Sequence, residues 1–109
     1  MKSNIKFADL KVKDSFISLS HSDDAGRQLR DWIVRAREDI QENCFCGIRI
    51  KKELIPEIYI RKYCINNLWK YDLPRGWRLM YSISGGEVEI IAIILEWLSH
   101  KEYEKRFKY

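Results

Sequence analysis

The chain has 109 residues, enough for one small domain (1–109) with a single modest core. Hydrophobic residues at 46% with 13% aromatics exclude a disordered polymer, and no apolar run is long enough to cross a bilayer. The formal charge of +4 is mild, and three cysteines, an odd number, argue against a disulfide framework and for a reducing cytoplasm.

The charge is unevenly spread. Residues 1–48 hold eight Lys/Arg and eight Asp/Glu, whereas residues 49–78 hold eight against three and residues 79–109 hold four against five. The excess positive charge therefore lies in the middle of the chain, where it suits a polyanion partner or a solubilising basic surface equally well.

The opening Met1-Lys-Ser-Asn-Ile-Lys lacks the apolar region of a signal peptide. Asn4-Ile-Lys-Phe7 reads as a short edge strand with Ile5 and Phe7 on one side. From Asp9 the pattern changes: Val12, Phe16 and Leu19 recur at i, i+4 and i+7. This predicts a helix over 9–19 with Asp9 as N-cap, although alternation through 11–20 also permits a strand. Ser20-His-Ser-Asp-Asp24 is a turn and cap cluster, in which His21 has no chemical role. The clearest element is a helix over 24–42, with Leu29, Trp32, Ile33, Ala36 and Ile40 in one stripe. Asn43-Cys-Phe-Cys-Gly47 ends it, with Gly47 available for a left-handed conformation. The segment 48–65 is long for a connection. Pro56 breaks any helix running through it, and a loop of this length carries function or a little structure of its own.

Three strands follow. The first, 68–73, is stopped by Pro74-Arg-Gly76; the second covers 77–84; Gly85-Gly86 can take the positive φ of a tight hairpin, which predicts an antiparallel third strand over 88–97. Ile90-Ile-Ala-Ile-Ile-Leu95 is apolar on both faces and so belongs inside the sheet. Trp77, Leu79, Tyr81 and Ile83 share one face of the second strand, and Arg78, Met80 and Ser82 the other. On the first strand Trp69, Tyr71 and Leu73 separate likewise from Leu68, Lys70 and Asp72. One face needs covering by the helix hairpin; the opposite face carries Lys70 and Arg78, an arrangement suited to phosphate if the register makes them neighbours. Ser99 with Glu102 forms a capping-box pattern, predicting a helix over 100–107 with His100 at its start and Tyr103 and Phe107 on one face. The fold class is α+β: a short N-terminal strand and a helix hairpin packed on a mainly antiparallel sheet, with a short C-terminal helix.

This element order, with the strand Gly76-Trp-Arg-Leu-Met-Tyr81, resembles the RelE/ParE toxin superfamily, whose strand reads G-[YW]-R-[LV]-x-Y. Leu68-Trp-Lys-Tyr-Asp-Leu73 is similar to the family's preceding strand, and His100 to Tyr103 falls where members carry a polar segment leading to a tyrosine. The resemblance implies a toxin of a toxin–antitoxin pair, with a cognate antitoxin as partner. RelE-like members cleave mRNA on the ribosome without metal or other cofactor and leave a 2′,3′-cyclic phosphate. ParE-like members instead inhibit DNA gyrase, so a non-catalytic binding module or a degenerate toxin is the alternative. Residue by residue, Arg78 matches the arginine that contacts the scissile phosphate and Lys70 the first of two lysines. The second lysine position holds Asp72, a departure from the nuclease pattern.

The chemistry of such cleavage needs a base for the 2′-OH, cations for the charge developing on phosphorus and an acid for the 5′-oxygen. His100 is the natural acid or base near neutral pH, Arg78 can grip phosphate with two donors, Lys70 adds a point charge, and Tyr103 can stack on a base or assist proton transfer. The bland counterpart is an ion pair between Arg78 and Asp72 across adjacent strands. Arg49, Lys51, Lys52, Arg61 and Lys62, with Arg75 and Lys101, are expected to face RNA. Cys44-x-Cys46 with Cys64 lacks usual zinc spacing and a fourth ligand, so no metal site is expected. A basic adaptor unrelated to toxins is a third reading. Trp32, Trp69, Trp77 and Trp97 read as packing, with Trp97 also a cover for the active face.

Overall fold

A computed structural model describes residues 1–86 and 88–108. Helix α1 (Leu10–Leu19) starts where the Asp9 side chain accepts from the Val12 amide, and α2 (Asp24–Glu42) where Asp23 accepts from Gly26. The α2 stripe Leu29, Ile33, Ala36 and Ile40 is buried, and Phe16 of α1 joins it. Both helices cover one face of a five-stranded sheet formed by β1 (Asn4–Phe7), β2 (Ile48–Arg49), β3 (Trp69–Asp72), β4 (Arg78–Gly85) and β5 (Ile90–Leu98), in the order β1-β5-β4-β3-β2. β1 runs parallel to β5; the other pairs are antiparallel. The alternation along β4 and β3 is as expected: Leu79 and Tyr81 are buried against the hairpin, with Trp69, Tyr71, Trp77 and Ile83 packed around them.

The second face is covered too. The segment 48–65 contains β2, a 3₁₀ turn at Lys52–Leu54 and a helix, α3 (Glu57–Tyr63), which begins immediately after Pro56. Together with α4 (His100–Phe107) it buries Leu68, Met80, Leu95 and Leu98 beneath Tyr59 and Tyr103. The face bearing Lys70 and Arg78 is therefore a second core flanked by cations. A β-bulge makes this possible: Met80 pairs with Glu96 and Tyr81 with Ile94, leaving Leu95 as the extra residue. Leu95 and Glu96 consequently both serve the α4 side. Glu96 there receives Arg106 at 3.2 Å, tying α4 to β5.

Three local expectations are corrected. The backbone at Gly85 and Gly86 does not take positive φ; among the described residues positive φ occurs at Arg75 (φ 59°) and Gly76 (φ 80°), in the turn between β3 and β4, and at Cys64 and Lys108, which end helices. Pro74 presets that turn, and the Leu73 amide closes it on the Trp77 carbonyl at 2.8 Å. The Gly85-Gly86 hairpin still forms, with the Gly86 amide donating to the Glu89 carbonyl; Glu87 lies outside the described residues. Gly47 is no left-handed cap either, since Asn43 caps α2 in an extended conformation. Its lack of a side chain matters for packing: a Cβ there would lie 2.6 Å from both the Lys70 carbonyl and the Tyr81 hydroxyl. Lastly, Trp97 packs edge-on against Phe16 and so covers the α1/α2 face, opposite Lys70 and Arg78. Among the described residues, no helix is long and apolar enough to cross a membrane.

Candidate functional site

Register decides the site. Asp72 stands opposite Arg78 and Lys70 opposite Met80, so Lys70, Asp72 and Arg78 share one face, with the cations diagonal to each other. The Asp72 carboxylate sits between them, Oδ1 lying 3.0 Å from Arg78 Nε and 3.5 Å from Lys70 Nζ. Arg78 Nε approaches that oxygen without directing its N–H at it, while Nη1 donates to the Trp77 carbonyl at 3.3 Å. The Arg78 contact with Asp72 is thus an ion pair with poor hydrogen-bond alignment. Both cations are largely covered, at 18% and 19% side-chain exposure, against 49% for Asp72.

Helix α4 supplies the lid of this cluster. Its start is fixed by the complete capping box of Ser99 and Glu102, which anchors the first turn beyond the end of β5. From there Tyr103 reaches over the cations: its ring centroid is 5.2 Å from the Arg78 guanidinium carbon and 5.5 Å from Lys70 Nζ. The ring stacks on Phe107 at 4.5 Å and is only 4% exposed. Tyr103 is thereby a packing surface that positions two cations, and its burial leaves little ring face for a nucleobase.

One helical turn earlier, His100 lies at the rim. Its Nε2 is 2.9 Å from Glu104 Oε1, and its side chain is 60% exposed. The turn before Arg78 touches this residue: a Cβ on Gly76 would lie 2.9 Å from His100 Cβ. Gly76 thus serves both the left-handed turn and the close approach of α4. Trp77, next in sequence, packs on the opposite face of the sheet. Arg78 and Lys70 each contact Asp72 and the Tyr103 ring, and His100 flanks them at the same end of the sheet.

The other cations expected at RNA are exposed but dispersed. Arg49 stands opposite Trp69 at the β2 edge, with Lys51 and Lys52 just beyond. Arg61 sits 3.9 Å from Glu57 on α3 and lines a hollow with Glu102 and Lys105 of α4. Lys62 lies over the Tyr63 ring at 5.3 Å, in a different hollow with Lys11 and Ser15 of α1. Arg75, in the β3–β4 turn, and Lys101, in the first turn of α4, are the two that border the His100 end. Cys44 is buried, Cys46 and Cys64 are exposed, and all three are free; burial first, and Asp39 second, push the Cys46 thiol up.

Sequence reasoning passed over Glu104, which lies 2.9 Å from His100 Nε2, although its i, i+4 spacing is a helix-surface signal. It also passed over the exposed ring of Phe45 beside Trp69, for which a lone Phe in a Cys-Phe-Cys loop gives no signal. Comparison of the chain with known protein families, with characterised proteins and with solved structures finds no match.

Proposed function

We propose that the chain is a RelE-like toxin of a toxin–antitoxin pair, an endoribonuclease that cleaves mRNA at the ribosome and is restrained by a cognate antitoxin. The observation that carries this reading is the pairing of two largely covered cations, Arg78 and Lys70, on one sheet face beneath α4, the helix that begins at the exposed His100. In the reaction, the 2′-oxygen bonds to phosphorus and the P–O5′ bond breaks, giving a 2′,3′-cyclic phosphate and a 5′-hydroxyl. A proton leaves the 2′-OH and one arrives at the 5′-oxygen. His100 serves one of these transfers, with the Glu104 carboxylate 2.9 Å from its Nε2. Arg78 and Lys70 offset the charge gathering on the non-bridging oxygens, a role that strengthens as charge develops. Both must first exchange Asp72 for phosphate.

That exchange also motivates the second reading, a non-catalytic module of RelE/ParE type such as a gyrase inhibitor or degenerate toxin. Asp72 already neutralises the cations, and it stands where the family's nuclease pattern has a lysine. The test is mRNA cleavage on translating ribosomes by the wild-type chain, Arg78→Ala and His100→Ala. Cleavage by wild type that falls at least about a hundredfold in both variants is the expected result. Unimpaired cleavage in both removes the proposed site, and an inactive wild type favours the binding module.

A further inference from the structure

On the opposite face from Arg78, at the β2 edge, an open cleft of about 380 Å³ is lined by Phe45, Trp69, Arg49, Lys52 and Asn66. The two rings pack against each other, 5.7 Å apart and tilted by 46°, and Phe45 stays 46% exposed, so its free side is open to a stacking partner. No carboxylate lines the cleft, and among the described residues no ion pair involves Arg49, Lys51 or Lys52. Elsewhere this chain pairs its basic groups freely, as Arg27, Arg35, Arg61 and Arg106 illustrate. An exposed aromatic ring beside uncompensated cations is the chemistry that holds a base and its phosphate.

The loop that presents Phe45 is fixed from beneath. The buried Tyr81 hydroxyl donates to the Cys44 carbonyl at 2.8 Å and accepts from the Gly47 amide at 3.1 Å. The Phe45 amide itself donates to Asn43 Oδ1 at 3.1 Å. A ring held this way loses little freedom when something stacks on it. Asn67 is already committed, since its side chain exchanges two hydrogen bonds with the Ile83 backbone, each 2.8 Å. Asn66 is exposed; its Oδ1 accepts from Asn67 Nδ2 at 2.8 Å, which leaves its Nδ2 donors for a base edge.

We propose that the Phe45/Trp69 cleft stacks an unpaired nucleobase of single-stranded RNA, with Arg49 and Lys52 on the adjoining phosphates. The choice of RNA rests on the function proposed above; the cleft supplies a contact remote from the cleavage centre. Trp69 and Lys70 are sequence neighbours on opposite faces of β3, so a strand passing round the sheet edge would reach both sites. β2 has only two residues, so this edge offers little backbone for a peptide strand to pair with.

The experiment measures fluorescence anisotropy of a labelled, unstructured 2′-O-methyl RNA oligonucleotide with the full chain at several salt concentrations. This RNA has no 2′-hydroxyl to attack, so binding is read apart from cleavage. Phe45→Ala is expected to weaken binding about tenfold without changing the salt slope. Arg49→Ala should reduce the slope of log affinity against log salt by about 0.7, the loss of one phosphate contact. Circular dichroism verifies that Phe45→Ala folds, and Phe45→Leu, which keeps an apolar side chain but no ring, serves should it not. Wild-type affinity in the folded Phe45 variants overturns the cleft, as does equally tight binding of a duplex of the same sequence. Either result leaves the cleavage test of Arg78 and His100 untouched; conversely, a chain that binds through Phe45 but cleaves nothing keeps the cleft and loses the nuclease.

Discussion

Replacing Asp72 by Asn tests whether the sheet cations are held for structure or for phosphate. The substitution is isosteric and lies at a half-exposed position at the end of β3, so the strand itself is not disturbed. It removes one negative charge lying 3.0 Å from Arg78 and 3.5 Å from Lys70. Pairs of this exposure contribute about 0.2–1 kcal/mol each, and the poor alignment with Arg78 Nε argues against larger values. Taken together they are worth about 1 kcal/mol, or roughly fivefold in an equilibrium. The same carboxylate competes with phosphate for both cations, so its loss should act in opposite directions on folding and on binding. Asp72→Asn should lower unfolding stability by about 1 kcal/mol in a urea titration followed by tryptophan fluorescence, and tighten a 2′-O-methyl RNA about fivefold. Adding Arg78→Ala should abolish the gain. An Asp72→Asn chain that binds RNA no better than wild type would refute the argument, because the cations would then have no use for phosphate even when unopposed.

Three further outcomes follow from the same geometry. Tyr81→Phe strands the Cys44 carbonyl and Gly47 amide in the interior and should cost about 1–3 kcal/mol in urea unfolding, with weakened RNA binding through the freed Phe45 loop. Gly76→Ala puts a Cβ 2.9 Å from His100 Cβ at a backbone φ of 80°, so it should destabilise by about 1–2 kcal/mol and displace the start of α4, read as a lowered melting temperature and lost cleavage. The Tyr71 hydroxyl donates to Asp39, and burial first, then that carboxylate, push its pKa up to about 12 from the ordinary 10.0. The unfolded chain therefore releases this proton first: the stabilisation is complete below about pH 10 and disappears as pH rises through about 12. Urea midpoints compared above and below pH 10 should fall at the alkaline end, less steeply for Tyr71→Phe. A residual fall is expected, because burial also raises Tyr59 and Tyr81.

Legibility in the sequence followed periodicity. The stripe of α2, the alternation of β4 and the capping box of α4 are short-range patterns, and each element formed where its pattern lay. The pattern failed in 48–65, where β2, a 3₁₀ turn and α3 are each shorter than the window that periodicity needs. Glycine was a good guide at Gly76, which takes φ 80°, and a poor one elsewhere. Its freedom at Gly85-Gly86 went unused, whereas Arg75, with no such freedom, was held at positive φ because Pro74 and the closing bond from Leu73 leave the turn no alternative. Of the candidate site, the residue types and their faces were readable; the presence of Asp72 between the cations was foreseen only as an alternative.

The sequence by itself determined which side chains point to which side of each strand, because the two-residue period of an extended chain and the turn of a helix are local. Strand register, the bulge at Leu95 and the coverage of the second face were decided only by tertiary structure. Those three depend on contacts between residues far apart in the chain, where total packing of two cores, and no local preference, selects the pairing. They are also what brings Lys70, Arg78 and Tyr103 together, and what leaves Phe45 and Arg49 at an open edge.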